Sequence, residues 1–121
     1  MPEVFRVGWD PAARADLLEV VHFIAKESPL AAQRVAAKLT AAVSSLYRHP
    51  QRGRRVTELT ALPDPIGVST HGLEIRELIV RPWRLIYVIE GRSVRMMAVV
   101  DSRRDMLAWL ERHLTRFGHN P

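Results

Sequence analysis

Residues 76–104 read RELIVRPWRLIYVIEGRSVRMMAVVDSRR, a stretch in which apolar runs alternate with turn residues. Pro82 ends one run, because proline cannot donate to a strand ladder, and Glu90-Gly91 is a pair typical of tight turns. The β-branched and aromatic content of the runs between these breaks predicts strands. The three predicted strands are 73–81, 83–89 and 93–101.

The middle strand, 83–89, carries apolar side chains on both of its faces. Alternate residues of a strand point to opposite faces of a sheet. We therefore expect one face of the sheet to cover the core and the other to be shielded by a helix. The first face holds Trp83, Leu85, Tyr87 and Ile89, and the second holds Arg84, Ile86 and Val88.

The N-terminal half predicts a short strand, 4–9, followed by two helices. Asp10-Pro11 and Ser28-Pro29 each combine an N-cap residue with proline at the first helical position. Apolar residues then recur at helical spacing, which predicts one helix to about Glu27 and a second to Tyr47. Two helices joined so closely form an antiparallel αα-hairpin.

Two further segments complete the prediction. Residues 51–72 have no regular period and are rich in proline and glycine, so we expect a loop, which is long for a compact domain. Residues 103–116 have apolar residues at helical spacing and predict a C-terminal helix. Residues 1–121 are thus predicted to form a single α+β domain. Its antiparallel sheet of three to four strands packs against the N-terminal αα-hairpin.

The composition is that of an ordinary globular domain with a positive net charge. The 121 residues are 47% apolar and 26% charged, which suits one domain with its own core. The formal net charge is +5, and all but two of the 18 basic residues, Lys26 and Lys38, are arginines. Because arginine meets phosphate and carboxylate groups bidentately, this charge favours an acidic partner, either nucleic acid or protein.

Several classes of site are disfavoured by the residue types present. The chain has no cysteine, and its five histidines show no zinc-ligand spacing, so neither a metal nor a cofactor is expected. The first residues lack the pattern of a signal peptide, and no stretch approaches about 18 uninterrupted apolar residues. We therefore expect a cytoplasmic protein.

The arginines near the predicted strand ends are the candidate target-binding residues. Arg103 and Arg104 open the predicted last helix, where the helix dipole disfavours cations, so a purpose outside local stability is indicated. Clustered with Arg81 and Arg84, they could form a phosphate-binding concavity, and Arg76 is a fifth candidate. The alternative for each is a surface ion pair worth about 0–1 kcal/mol, and Arg76 equally fits a partly buried pair. The acidic side chains available for such pairs are Glu74, Glu77, Glu90 and Asp101.

Two other features have a structural and a functional interpretation. Tyr87 could act as a general acid or base, but its position on an apolar strand face favours a core tyrosine. The run Arg52-Gly53-Arg54-Arg55 is typical of a solvated loop and could also serve as a second phosphate contact.

The order of these motifs resembles the RelE/ParE family of bacterial toxins. Arg76-Glu77-Leu78, then Trp83-Arg84-Leu85-Ile86-Tyr87, and a final strand closing on Arg103-Arg104-Asp105 are similar to the C-terminal half of the family. The helix starts, and His49-Pro50 followed by Gly53-Arg54, are similar to its helical half, so that the resemblance covers residues 4–110. One departure is Asp101-Ser102, where many members carry His-Gly or a similar pair.

The resemblance implies the toxin of a type II toxin–antitoxin pair that inhibits growth. Its partner would be an antitoxin whose acidic, disordered segment folds over the toxin in a hetero-oligomeric complex. RelE-like members are ribosome-dependent messenger RNA endoribonucleases that use lysines, arginines and a tyrosine near the C-terminal helix. ParE-like members lack that set and poison DNA gyrase.

The residues of this chain favour the ParE-like branch. Both lysines lie in the predicted helical hairpin, no tyrosine follows Tyr87, and arginine, with a pKa above about 12, is a poor proton carrier. No catalytic residue is therefore assigned, and a gyrase poison rather than an enzyme is expected. The alternatives are a RelE-like ribonuclease, a non-toxic nucleic-acid-binding module, or a pure interaction protein.

Overall fold

Each of the two predicted Xaa-Pro pairs begins a helix. In a computed structural model that describes residues 4–57, 74–103, 106 and 108, helix α1 spans Pro11–Ala25 and helix α2 spans Pro29–Ser44. A 3-10 turn, Ser45–Tyr47, continues α2 to the residue where the second helix was predicted to end. The strands of the described residues are β1 (Arg6–Trp9), β2 (Arg54–Arg55), β3 (Glu74–Val80), β4 (Trp83–Glu90) and β5 (Ser93–Asp101).

The two helix starts are capped differently. The Ser28 hydroxyl accepts a hydrogen bond from the Ala31 N–H at 3.1 Å, which is the expected side-chain cap. The Asp10 side chain makes no such bond, and its carboxylate instead lies 3.4 Å from the Arg95 guanidinium. The Asp10 N–H donates to the Met96 carbonyl at the end of β1, so this residue joins strand and helix.

The sheet has the order β1-β5-β4-β3-β2, and β1 is parallel to β5 while every other pair is antiparallel. The α+β class with a helical hairpin on the sheet is confirmed. The prediction of an antiparallel sheet of three to four strands was incomplete, since the described strands form a five-stranded mixed sheet. Residue alternation fixes which face a side chain takes but carries no information on strand direction. The parallel pairing of β1 was therefore not visible in the sequence.

Strand β2 corrects part of the predicted 51–72 loop. Arg54 and Arg55 pair with Glu77 and Arg76 of β3, and they close the sheet on that side. Two residues are too few to show a period of two, so no pattern in the sequence predicts a strand here. Residues 58–73 lie outside the described residues.

The first hairpin has the predicted turn, and the turn of the second is shifted by one residue. Val80 pairs with Trp83 around Arg81-Pro82, and Glu90 pairs with Ser93 around a two-residue loop, Gly91-Arg92. Gly91 has a φ of +60°, the left-handed conformation that glycine adopts without steric cost. The turn is therefore centred one residue later than the predicted Glu90-Gly91 pair.

Both faces of the sheet are covered, which confirms the two-face interpretation of β4. The inner cluster, between the sheet and the helical hairpin, includes Leu39, Leu85 and Tyr87, none of which is exposed. Fully burying one such side chain stabilises a fold by roughly 1.5–3 kcal/mol. The outer cluster consists of Val56, Ile75, Ile86, Val88, Met97, Ala98, Val100 and Met106.

The helix predicted at 103–116 supplies one described member of the outer cluster. Met106 is helical and buried, and Ala108 is helical as well, while the remainder of 104–121 lies outside the described residues. A register shift in the β4–β5 ladder, between Ile86 and Tyr87, brings both Met97 and Ala98 into the outer cluster. In the described part of the chain, no helix is long and apolar enough to cross a membrane.

Candidate functional site

A buried ion-pair network lies on the outer face of β2, β3 and β4. The Glu77 carboxylate is fully buried and accepts hydrogen bonds from Arg84 at both oxygens, one of them at 2.9 Å. It also accepts from the Arg54 Nε at 2.9 Å. Arg84 is only 6% exposed, whereas the Arg54 side chain is 57% exposed. This network, Arg54–Glu77–Arg84, satisfies a carboxylate that would otherwise be too costly to bury.

Arg84 therefore lies in a different setting from the one expected of a target-binding residue. Its guanidinium turns into the sheet toward Glu77 and away from solvent. The sequence predicts Glu77 only as a pairing partner for surface arginines. The register of the β3–β4 hairpin is the signal that could have revealed this pair. It puts Glu77 and Arg84 on the same sheet face, at neighbouring diagonal positions.

Tyr87 anchors the segment that precedes β2 to the inner face of the sheet. Its hydroxyl donates to the Pro50 carbonyl at 2.7 Å and accepts from the Gly53 N–H at 3.0 Å. Burial raises the pKa of Tyr87 above its ordinary value of 10.0. The side chain is 0% exposed, so the core interpretation of this tyrosine is confirmed.

Gly53 fits against Tyr87 because it has no side chain. A Cβ at this position would lie 2.5 Å from both the Glu77 carbonyl oxygen and the Tyr87 hydroxyl. The Gly53 carbonyl accepts from Arg76 at 2.7 Å, and Arg76 also pairs with Glu74. Arg76 is thus held in the partly buried ion pair that was its structural alternative, although with Glu74 rather than Glu77.

Arg81 and Arg103 lie at one end of the sheet. The Ser102 N–H donates to the Pro82 carbonyl at 2.7 Å, which ties the β3–β4 turn to the end of β5. Arg103 is 82% exposed and forms a bidentate pair with Asp101, including a 2.6 Å contact. Its hydrogen bond to Asp101 raises the pKa of the Arg103 guanidinium. Arg104 lies outside the described residues.

Two grooves open beside these arginines. The basic groove, between α2 and the end of β3, has a volume of about 580 Å³. The α1 groove, between α1 and the ends of β4 and β5, has a volume of about 470 Å³ and includes Arg103 and Asp101. Arg81 and Arg103 therefore line different grooves. The basic groove is lined by Lys38, Ala41, Ala42, Arg52, Ile79, Val80 and Arg81.

The structure thus separates the four predicted arginines that it describes. Arg81 and Arg103 are exposed at the same end of the sheet, while Arg84 and Arg76 are engaged with Glu77 and Glu74. The basic groove adds two residues, Lys38 and Arg52, that were not assigned to the target-binding set. They come from α2 and from the segment after the 3-10 turn, so no sequence spacing could have linked them to Arg81. No group of three His, Asp or Glu in the described ranges could hold a metal ion.

Comparison with known proteins agrees with this fold. The family model described as ParE toxin of type II toxin-antitoxin system, parDE, matches residues 7–106. Toxin RelE2 of Caulobacter vibrioides (strain ATCC 19089 / CIP 103742 / CB 15) is 44% identical over 62 residues, which cover 48% of this chain and 70% of that protein. A solved chain from the chromosomal ParDE TA system of P. aeruginosa has a TM-score of 0.60 and 16% identity. That alignment covers 81% of this chain and 96% of the solved chain.

The family match includes both helices and strands β3, β4 and β5, whose motifs first suggested the resemblance. The chain therefore belongs to the ParE toxin family, within the RelE/ParE superfamily of type II toxin–antitoxin toxins.

Proposed function

We propose that this chain is a ParE-type toxin that stops growth by poisoning DNA gyrase in the cytoplasm and is neutralised by a cognate antitoxin. The observation that carries the proposal is the family match over residues 7–106, which names the ParE toxin of parDE systems. Exposed arginines at the end of the sheet, Arg81 and Arg103, supply the candidate target contacts. Arg104 and Arg76 stay as further candidates from the sequence.

The chemistry near these arginines supports a binding role over a nuclease role. A ribonuclease of this family must activate a ribose hydroxyl and protonate a leaving oxygen, which requires side chains able to exchange protons. Tyr87 is sealed in the core, and its hydroxyl is already bonded to Pro50 and Gly53. Neither described groove beside Arg81 or Arg103 is lined by a histidine or a tyrosine; the groups there that can exchange protons are Lys38 beside Arg81, and Asp16, Glu19 and Asp101 beside Arg103. Arginine stabilises a phosphate well but exchanges protons poorly.

Arg84 takes a positioning role in this proposal. Its guanidinium is paired with buried Glu77, so it holds β3 against β4 rather than contacting a target. The exposed side of the network is Arg54, whose side chain is 57% exposed and reaches the same carboxylate. Substituting Arg84 would therefore test folding more than target binding.

A second candidate is a ribosome-dependent messenger RNA endoribonuclease. The observation that favours it is the 44% identity to a protein named Toxin RelE2. That stretch covers 48% of this chain, whereas the ParE family model matches residues 7–106. The longer match to the ParE family model, and the burial of Tyr87, favour the gyrase poison.

Expression of the chain alone from an inducible promoter tests the proposal. We expect growth arrest, loss of negative supercoiling in a reporter plasmid, and intact messenger RNA in a translating extract. Arrest with codon-dependent cleavage of messenger RNA would establish the second candidate instead. Unimpaired growth would count against any toxin and would favour a nucleic-acid-binding or interaction module.

A further inference from the structure

We infer that two copies of this chain associate through the end of the sheet that carries the β3–β4 turn, with the α1 groove of each copy against the basic groove of the other. The two grooves lie on either side of that turn, because Arg81 lines the basic groove and the next residue, Pro82, lines the α1 groove. A two-fold axis that passes near the turn pairs both sets of grooves at once. The same contact is then made twice in one dimer.

The basic groove carries cations that have no counter-charge within the described part of the chain. Lys38, Arg52 and Arg81 line it together with small and aliphatic residues, and none of the three forms an ion pair with another described residue. Arg52 donates one hydrogen bond to the Ser45 hydroxyl at 2.6 Å, which holds it at the end of α2. Because a guanidinium has five N–H donors, others remain for a carboxylate of a second copy.

The α1 groove has the opposite balance of charge. It is lined by the carboxylates of Asp16, Glu19 and Asp101 and by one guanidinium, Arg103, on a chain whose net charge is +5. Arg103 is already paired with Asp101, and one Asp16 oxygen accepts from the Val99 N–H at 3.0 Å. Glu19 is exposed and forms no ion pair with another described residue. Its carboxylate is therefore open to a cation of the second copy.

The apolar side chains of the two grooves are complementary as well. Phe23 lines the α1 groove and is 73% exposed, the largest fraction for a large apolar side chain in the described part of the chain. The floor of the basic groove is aliphatic, and Ile79 is 40% exposed there. Aromatic side chains contribute much of the energy of an interface when they are buried. Phe23 of one copy, placed on the floor of the partner's basic groove, removes both apolar surfaces from water.

Association of two like chains needs this local complementarity. A net charge of +5 on each copy opposes their approach, so the attraction has to come from surfaces of opposite charge that face one another. The two grooves supply such surfaces within a single chain. Because the contact is partly polar and limited to one end of the sheet, we expect a reversible dimer with a dissociation constant on the order of micromolar.

The dimer has a regulatory consequence, and this consequence alone rests on the proposed function. Arg81 lies in the basic groove and Arg103 in the α1 groove, so the dimer covers both of the proposed target contacts. Only the monomer presents them. The dimer is then an inactive store of the toxin that dilution releases.

Sedimentation velocity of the full chain over about 1–200 µM tests the association. We expect monomer at the low end and dimer, without larger species, at the high end. Lys38→Glu with Arg52→Glu should weaken the dimer about tenfold or more, although it lowers the net positive charge, and Glu19→Lys should weaken it too. An equimolar mixture of these two variants should dimerise again. In the mixed dimer one contact keeps its native charges, and the other has both charges reversed.

Two controls make the same changes of charge elsewhere on the chain. Arg6→Glu with Arg14→Glu, at exposed positions on β1 and α1, matches the first variant. Glu90→Lys, at an exposed position at the opposite end of β4, matches the second. Both controls should dimerise within about twofold of the wild type.

A chain that stays monomeric over the whole range would overturn the inference, and so would growth to species larger than a dimer. Equal losses in variants and controls would show a response to net charge alone. A mixture that stays monomeric would show that the two grooves do not face one another. A supercoiling assay with DNA gyrase is independent of this test: a chain that inhibits gyrase but never dimerises refutes the dimer alone. A chain that dimerises but leaves gyrase active at monomeric concentrations refutes gyrase poisoning alone.

Discussion

Glu77 and Arg84 form a bidentate ion pair across β3 and β4, with Glu77 fully buried and Arg84 6% exposed. The pair lies on the outer face of the sheet, in the layer that also contains Ile86 and Val100. A buried charge needs a partner with good geometry, and here Arg54 adds a second cation to the same carboxylate. The network therefore joins β2, β3 and β4 on the side of the sheet away from α1 and α2.

Neutralising Glu77 should weaken the fold. Glu77→Gln removes the charge of the buried carboxylate that accepts from both Arg84 and Arg54, and breaking a buried pair in this way costs about 3–5 kcal/mol. We expect the lower end of that range because Arg54 can turn toward water. The measurement is the free energy of unfolding in urea. Glu74→Gln, in the more exposed pair with Arg76, is the matched control and should cost about 1 kcal/mol or less. Equal effects of the two changes would contradict the account of the network.

Adding a methyl group at Gly53 should destabilise the protein. Its Cβ would lie 2.5 Å from the Glu77 carbonyl oxygen and from the Tyr87 hydroxyl, so the segment must move and lose its hydrogen bond. For Gly53→Ala we expect a loss of about 1–3 kcal/mol in unfolding free energy. Gly8→Ala is the control, since nothing lies within 4 Å of the Cβ there. Equal stability of Gly53→Ala and Gly8→Ala would contradict the close packing of Gly53 against Tyr87.

Stability should fall at alkaline pH because of Tyr87. Burial raises its pKa in the folded protein above the ordinary value of 10.0, so the unfolded chain releases the proton first. The contribution is fully present below pH 10.0 and is lost as the pH rises through the folded pKa. Unfolding free energies measured from neutral pH upward should therefore decline above that value.

Tyr87→Phe should remove this alkaline decline and lower the neutral-pH stability by about 1–3 kcal/mol, because the Gly53 N–H loses its acceptor. Tyr47→Phe, at a side chain that is 47% exposed, is the control and should keep the decline. An unchanged alkaline profile in Tyr87→Phe would show that another group controls it.

The proposed target contacts can be separated from folding. Arg81→Ala with Arg103→Ala should relieve growth inhibition while the thermal midpoint stays at that of a control, Arg6→Ala with Arg14→Ala. The four side chains are exposed, so neither pair of changes disturbs the core. Arg84 is excluded from the variant because its loss would leave Glu77 with one fewer cation. A folded double variant that is fully toxic would show that the exposed arginines are not the contacts.

Much of the fold could be predicted from local patterns. Proline after Asp10 and after Ser28 marked both helix starts, and alternation in β4 gave the two faces of the sheet. The parallel pairing of β1 with β5 was missed because paired residues such as Arg6 and Ser93 lie far apart in the sequence. Such a non-local pairing leaves no period in the sequence.

The site was harder to predict than the fold. A strand pattern places Arg84 on one face of the sheet but does not show whether that face is exposed to solvent. In the structure, Arg84 is buried beside the outer cluster. The basic groove joins Lys38, Arg52 and Arg81 from three separate segments, so only the folded chain reveals it. The family resemblance succeeded because it used the order of several motifs at once.

The most direct test of the central claim adds the purified chain to DNA gyrase, ATP and relaxed plasmid, with a parallel translating extract that contains messenger RNA. The account predicts that the wild-type chain blocks supercoiling and leaves messenger RNA intact, and that Arg81→Ala with Arg103→Ala restores supercoiling. Normal supercoiling in the presence of the chain, together with cleavage of messenger RNA on the ribosome, would contradict it.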